Sequence, residues 1–134
     1  MRQVTAAAAT YAGWVFAAGF CLGTVRVLVL LPRTGAFWAE VIEVPFMLTL
    51  AYFIARWRIA RHEVPARVAE RLVMGGVAFV LLICAEIALS VFGFGRPLAD
   101  VVLAYADPLK WVGLGGQMVF ALLPVALLLQ RRPA

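Results

Sequence analysis

Apolar residues in this 134-residue chain gather into four long blocks separated by short polar breaks. A transmembrane helix needs about 20 mostly apolar residues, at 1.5 Å each, to cross a hydrocarbon core of roughly 30 Å. Four stretches meet that requirement: about 11–31, closed by Pro32; 36–55, with Pro45 inside; 72–92, ending in Gly93-Phe94-Gly95; and 110–129, with Pro124 near its end. Little chain is left for anything else. The predicted fold is all-α, a single transmembrane domain over 1–134 built as an integral membrane four-helix bundle.

The breaks refine this picture. Pro32-Arg33-Thr34-Gly35 is a turn short enough to force an antiparallel hairpin. Glu63-Val64-Pro65 reads as a helix start, with proline in the first turn, so the third helix is expected to begin in the headgroups. Between the third and fourth spans, Leu98, Val101, Val102 and Tyr105 recur at helical spacing while Asp100 points elsewhere. That spacing predicts a short amphipathic helix lying in the interface or covering the bundle. Asp107-Pro108 then supplies an N-cap and a first-turn proline for the fourth helix. The two hairpins share no alignable pattern, so an inverted repeat has no support. The first block is longer than the 7–15 residues of a signal-peptide core, and Phe20 rather than a small residue precedes Cys21. It is expected to be a retained helix.

Composition sharpens the class. Apolar residues make up 65% of the chain and charged ones 14%, with a mean hydropathy of +0.97, against roughly 45–50% and about 25% in soluble domains. Such a surface excludes a soluble enzyme, a disordered tail and a free nucleic-acid binder. One histidine (His62) and two cysteines (Cys21, Cys84) leave little for metal or redox chemistry, and no cofactor is expected. His62 is expected to face solvent in the basic connection. The cysteines fall near the midplane, where packing as small buried apolar residues is the default.

The net charge of +5 reports topology. Arg2, Arg56, Arg58, Arg61, Arg67, Arg71, Arg131 and Arg132 lie on one side, and Arg33, Arg96 and the boundary residue Lys110 on the other. The positive-inside rule then places both termini in the cytoplasm. The arginine connection also suits an anionic lipid or a partner, but a topology signal explains it more simply. Trp38 and Trp111 at the outer level, and Tyr11, Trp14 and Trp57 at the inner level, fit aromatic belts.

Against this background the ionisable residues inside the spans stand out. Counted from the outer turns, Arg26 lies about 9 Å deep, Glu40 about 8 Å, Glu43 about 12 Å, and Glu86 and Gln117 about 13 Å each. Every span thus contributes a polar group to one layer in the outer half. Facing agrees: Gly19, Gly23 and Arg26 share a helix face, as do Gly113, Gln117 and Ala121, and as do Glu40, Glu43 and Met47. Small residues mark helix–helix contact in membranes, so the polar groups should point inward.

Three carboxylates against one arginine leave two negative charges uncompensated in low dielectric. Glu40 is the nearest in depth to Arg26, so Glu43 and Glu86 are the expected poorly compensated pair. Three readings stay open: a structural clamp between Arg26 and Glu40, a site for a proton, cation or polar headgroup, and a subunit contact. The Glu40–Glu43 pair is a weak metal motif, and no nucleophile–base pair or phosphate loop is visible in the sequence.

The segments Gly23-Thr24-Val25-Arg26-Val27-Leu28, Pro32-Arg33-Thr34-Gly35 and Ala39-Glu40-Val41-Ile42-Glu43-Val44-Pro45 resemble uncharacterised small four-helix bacterial inner-membrane proteins. The resemblance covers the first hairpin, about a third of the sequence, and implies location without activity. Small multidrug resistance transporters are similar in size and helix count, but they carry a glutamate in the first helix where this chain has Arg26. The expected function is a non-enzymatic small subunit or accessory factor of a larger membrane assembly, in contact with the lipid bilayer and with other membrane subunits or copies of itself. The alternative is a small proton- or cation-coupled transporter or channel acting as an oligomer.

The topology is directly testable. With Cys21 and Cys84 replaced, a cysteine at position 100 should react with an impermeant maleimide on whole cells, and one at position 62 should react only after lysis. Reaction at position 62 from outside would invert the map.

Overall fold

A computed structural model of the chain describes residues 2–130, and the regular structure among them is helical. The basic pair Arg131 and Arg132 lies outside the described residues. Helix α1 is Arg2–Val25, continued by a wider π-helical turn over Arg26–Leu30. Helix α2 is Leu31–His62, α3 is Val68–Ala88 with a second π turn over Leu89–Gly93, and α4 is the short Leu98–Leu103, followed by a 3₁₀ turn over Ala104–Ala106. Helix α5 is Pro108–Ala126, finishing in a 3₁₀ turn over Leu127–Gln130. Three helical stretches are long and apolar enough to cross a membrane: Arg2–His62, which folds back on itself, Val68–Gly93 and Lys110–Leu129.

Several boundaries differ from the expected ones, each for an identifiable reason. The first helix starts at Arg2 rather than near Tyr11, because polarity ends a lipid-crossing stretch without ending a helix. Pro32 does not close it either, since a proline in the first turn after the π segment needs no N–H donor there. The chain reverses at Gly35 alone, whose φ of 83° and ψ of 167° fall in a region essentially restricted to glycine. Helix α2 then runs beyond Ala55 to His62, carrying Arg56, Arg58 and Arg61 on helical turns. Glu63-Val64-Pro65 is not the start of α3 but the end of α2. Glu63 adopts the left-handed conformation, its N–H bonds to the Ala60 carbonyl, and the Val64 N–H reaches the Ile59 carbonyl at 3.1 Å. These two bonds form a Schellman cap, with Val64 buried as its apolar contact. The predicted short helix is present as α4, with Val101 buried and Leu98, Val102 and Asp100 exposed.

The long helices pack as a ring: α1 lies against α2 and α3, and α5 lies against the same two. The tight core sits at the arginine-rich end. Ala7, Ala8, Tyr11 and Ala12 of α1, Ala51 and Ala55 of α2, Met74 and Ala78 of α3, and Phe120 of α5 are buried there. Small residues let the backbones approach closely. The closest approach is at Gly75, where an added Cβ would lie 1.8 Å from the Ala121 carbonyl oxygen.

Two polar contacts fasten this end. Pro124 has no N–H, so the Phe120 carbonyl four residues earlier loses its helical donor. The Tyr11 hydroxyl supplies a replacement at 2.7 Å, and its ring stacks on Phe120 with centroids 4.3 Å apart. Arg71 is 1% exposed and donates Nη1 to the Pro124 carbonyl at 2.9 Å and Nε to the Pro65 carbonyl at 3.2 Å. An arginine counted for topology is therefore also a clamp between α3 and α5. Nearby, the Arg58 guanidinium lies over the Trp57 ring at 3.7 Å, and Trp57 meets Trp14 edge-on at 5.1 Å.

Other expectations need correcting. His62 does not simply face solvent: its Nε2 lies 3.4 Å from Thr10 Oγ1 on α1. Cys21 and Cys84 are exposed rather than buried, because both lie on outward helix faces. Of the five residues expected in aromatic belts, Trp14, Trp38, Trp57 and Trp111 are exposed, whereas Tyr11 is fully buried because its ring and hydroxyl are taken up by Phe120.

Adjacent glycines of α3 give a sharp test. Gly75→Ala drives a methyl into backbone and should cost about 3 kcal/mol, at the upper end for overpacking. At Gly76 nothing lies within 4 Å of the added carbon, so Gly76→Ala should be neutral or stabilising by up to about 1 kcal/mol. Thermal unfolding in detergent reads both.

Candidate functional site

Away from this core, toward the hairpin turn, the helices enclose a cavity of about 580 Å³. All five polar residues singled out in the spans line it: Arg26, Glu40, Glu43, Glu86 and Gln117. Four separate helical segments thus place their polar groups in one space. The glycine stripes behave as expected. Gly19 and Gly23 line the cavity, with Gly19 facing Met47, and Gly116 faces Val44. An added Cβ at Gly113 would come within 2.6 Å of Glu40 Oε1, so the bare backbone of α5 leaves room for that carboxylate.

Both π turns border the cavity. Arg26 opens the first, and Ser90 lies in the second; both residues line the space. A π turn widens the helix by one residue and redirects the side chains after it, which is why such turns recur at functional sites. Its bonds are formed: the Phe94 N–H reaches the Leu89 carbonyl at 3.0 Å.

The charges pair unequally. Arg26 Nη1 bonds Glu40 Oε2 and lies 3.1 Å from Glu43 Oε2. One turn of α2 brings both carboxylates to the same guanidinium, but Glu43 Oε2 is buried without a hydrogen-bond partner. Glu43 therefore lies in ion-pair range of Arg26 and is less fully engaged than Glu40, as the depths suggested. Glu86 is engaged differently. Gln117 Nε2 donates to both of its oxygens at 2.7 Å. With the amide nitrogen turned to the carboxylate, Gln117 Oε1 is buried without a hydrogen-bond partner. The cluster is only partly buried, since the Arg26 and Glu40 side chains keep 32% and 22% exposure.

Lys110 belongs to this site as well. It lines the cavity and acts electrostatically on Glu86, while its ammonium lies 5.0 Å from the centre of the Tyr105 ring. The excess over the cations is thus one carboxylate, not two. Its spacing carried the signal, because Lys110, Gly113 and Gln117 follow the i, i+3, i+7 face of α5. Tyr105, in the connection, feels the same charge: burial first, and then the Glu86 carboxylate, raise its phenol above the ordinary range.

Beneath the polar groups the lining is apolar, with Phe16, Met47, Leu82 and Phe120 among it. At the margin Leu28 and Phe94 are 71% and 66% exposed. The cavity is therefore a polar layer over an apolar floor, with an apolar mouth. No protein family, curated protein or solved structure matches the chain.

The shared guanidinium makes a specific energetic prediction. Arg26→Ala strands two carboxylates and should destabilise more than Glu40→Ala or Glu43→Ala. The Arg26/Glu40 cycle should show a coupling of about 1–2 kcal/mol, within the range for contacting residues. Strict additivity in detergent unfolding would mean that the pair does not meet.

Proposed function

We propose that this chain is a small non-enzymatic multi-pass protein of a bacterial inner membrane, with both termini cytoplasmic, and that its cavity binds a cationic species, proton or larger, which it carries across or into the bilayer. The observation that carries this reading is the cavity, to which every long helix contributes a polar side chain above a closed apolar floor. A pure clamp would need Arg26 and Glu40 alone. Glu86 and Gln117 contribute nothing to that pair, yet they share the space. Ionisable residues at membrane depth are costly and concentrate along ion and substrate pathways. The three stretches of sufficient length and apolarity support the membrane setting, as do large exposed apolar residues on every long helix.

A second reading, the small subunit of a larger assembly or a self-associating unit, is favoured by the scarcity of chain outside the helices. The lipid bilayer is a partner in either case, and nucleic acid in neither. The two readings separate on purification. A subunit should retain a heterologous partner in mild detergent, whereas a carrier should work alone.

Reconstituted by itself in proteoliposomes, the wild-type chain should move protons or a cation down an imposed gradient, read by a pH-sensitive dye or by isotope uptake. Glu86→Gln keeps shape and hydrogen bonding while removing the charge. It should abolish that flux and leave thermal unfolding within about 1 kcal/mol of wild type, as expected where no large packing change is made. Flux unchanged in Glu86→Gln would overturn the carrier reading.

A further inference from the structure

The cavity's dimensions and pairing pattern narrow what it can hold. This step rests on the cavity reading above and concerns the chemistry of the occupant. A bare inorganic cation is a poor fit. Calcium and magnesium ask for six or more oxygen ligands, whereas Glu40 and Glu43 are turned onto Arg26 and Glu86 is left with Gln117. The volume of about 580 Å³ lies within the roughly 300–1,000 Å³ of small-molecule sites. Much of the lining is aromatic or aliphatic, including Phe16, Phe20 and Phe120, and rings of this kind attract cations through their faces.

The polar side adds direction. Arg26 already faces two carboxylates through Nη1, so its positive charge is offset before any anionic group arrives. Glu86 is bonded by a neutral amide, and two cations face three carboxylates around the cavity. The available complement is one positive charge. Beside the Glu86 carboxylate sits Gln117 Oε1, a buried acceptor with no donor. A quaternary ammonium carries no N–H and cannot satisfy it; a primary ammonium donates three. The exposed Leu28 and Phe94 make the mouth apolar, which suits a ligand with an apolar body.

We infer that the cavity receives a primary ammonium group carried on a compact apolar body, the ammonium seated between the Glu86 carboxylate and Gln117 Oε1. Such a group reaches the mouth either as a dissolved hydrophobic amine or as the headgroup of an amine-bearing lipid.

The probe is radiolabelled adamantan-1-amine, a primary amine on an apolar cage, with its N,N,N-trimethyl analogue for comparison. Equilibrium binding is measured on the full chain in phosphatidylglycerol nanodiscs. The primary amine should bind saturably and at least about tenfold more tightly than the trimethyl analogue, a factor worth one pair of well-made contacts. Glu86→Gln should lose binding of both compounds. Gln117→Met should erase the preference, weakening the primary amine toward the trimethyl compound. Asp100→Asn, exposed on α4, should bind as wild type. Adding phosphatidylethanolamine to the nanodiscs separates the sources: competitive displacement of the probe assigns the site to a lipid amine, and no displacement assigns it to a dissolved amine. Equal affinity for the two probes, or a preference that survives in Gln117→Met, would overturn the inference. If neither probe binds yet the reconstituted chain shows a Glu86-dependent proton or cation flux, the ammonium assignment falls and the carrier reading stands. Absence of both binding and flux removes the two together.

Discussion

The hydroxyl of Tyr11 holds the carbonyl of Phe120, and the rest of the architecture depends on that bond. Pro124 breaks the helical ladder of α5 at that carbonyl, and an unsatisfied backbone acceptor in an apolar interior costs several kcal/mol. The replacement donor comes from α1, across the ring of helices, at 2.7 Å. Stacking of the two rings then closes the centre between α1 and α5. Arg71 adds a second contact one turn further along, at the Pro124 carbonyl. Together the two fasten α5 to α1 and to α3. These fastenings lie at the arginine-rich end, where small residues bring the backbones together and seal the base of the cavity.

The opposite end is built on a different principle. The π turns at Arg26–Leu30 and Leu89–Gly93 lie there, as do the polar side chains. Desolvating a full ion pair often costs more than its attraction returns. Here the guanidinium and the carboxylates keep partial exposure, so the penalty is reduced, and a single guanidinium lies within ion-pair range of two carboxylates. Glycine at 113 contributes to the same economy by letting Glu40 approach α5 without a side chain between them.

Much of this was legible in the chain. Hydropathy located the four long segments, and counting at 1.5 Å per residue put five polar groups in one layer. The structure brings those five into one cavity. Depth counting could not say which carboxylate turns to which partner, because that depends on rotation about each helix. Glu43 shows the ambiguity: it lies within ion-pair range of Arg26, yet its Oε2 is buried without a hydrogen bond. By position Lys110 and Arg71 count as topology charges, because each sits at the end of an apolar run, where long side chains usually reach for water. Face analysis carried the missing information: Arg71 heads the stripe Gly75, Ala78, Leu82, all of them buried, as Lys110 heads its own. The termination of α2 at Glu63 was hidden for another reason. Left-handed caps favour glycine or asparagine, and a glutamate there sends no signal in the sequence.

Closure at one end and incomplete burial at the other are linked. If the polar layer were sealed as tightly as the alanine-rich core, an unmatched carboxylate would have to give up its charge or destabilise the fold. If the core were as loose as the polar layer, the cavity would have no floor, and its volume would be a passage rather than a site. The excess charge is tolerable because the cavity is open, and the cavity holds its shape because the other end is closed. The residue that joins the two regimes is Phe120. It is stacked and bonded by Tyr11 in the core, and it lines the cavity three residues beyond Gln117. A shift of α5 large enough to release the Tyr11 bond would therefore move Gln117 and its hold on Glu86 at the same time. That arrangement ties the geometry of the polar layer to the packing of the closed end through a single helix.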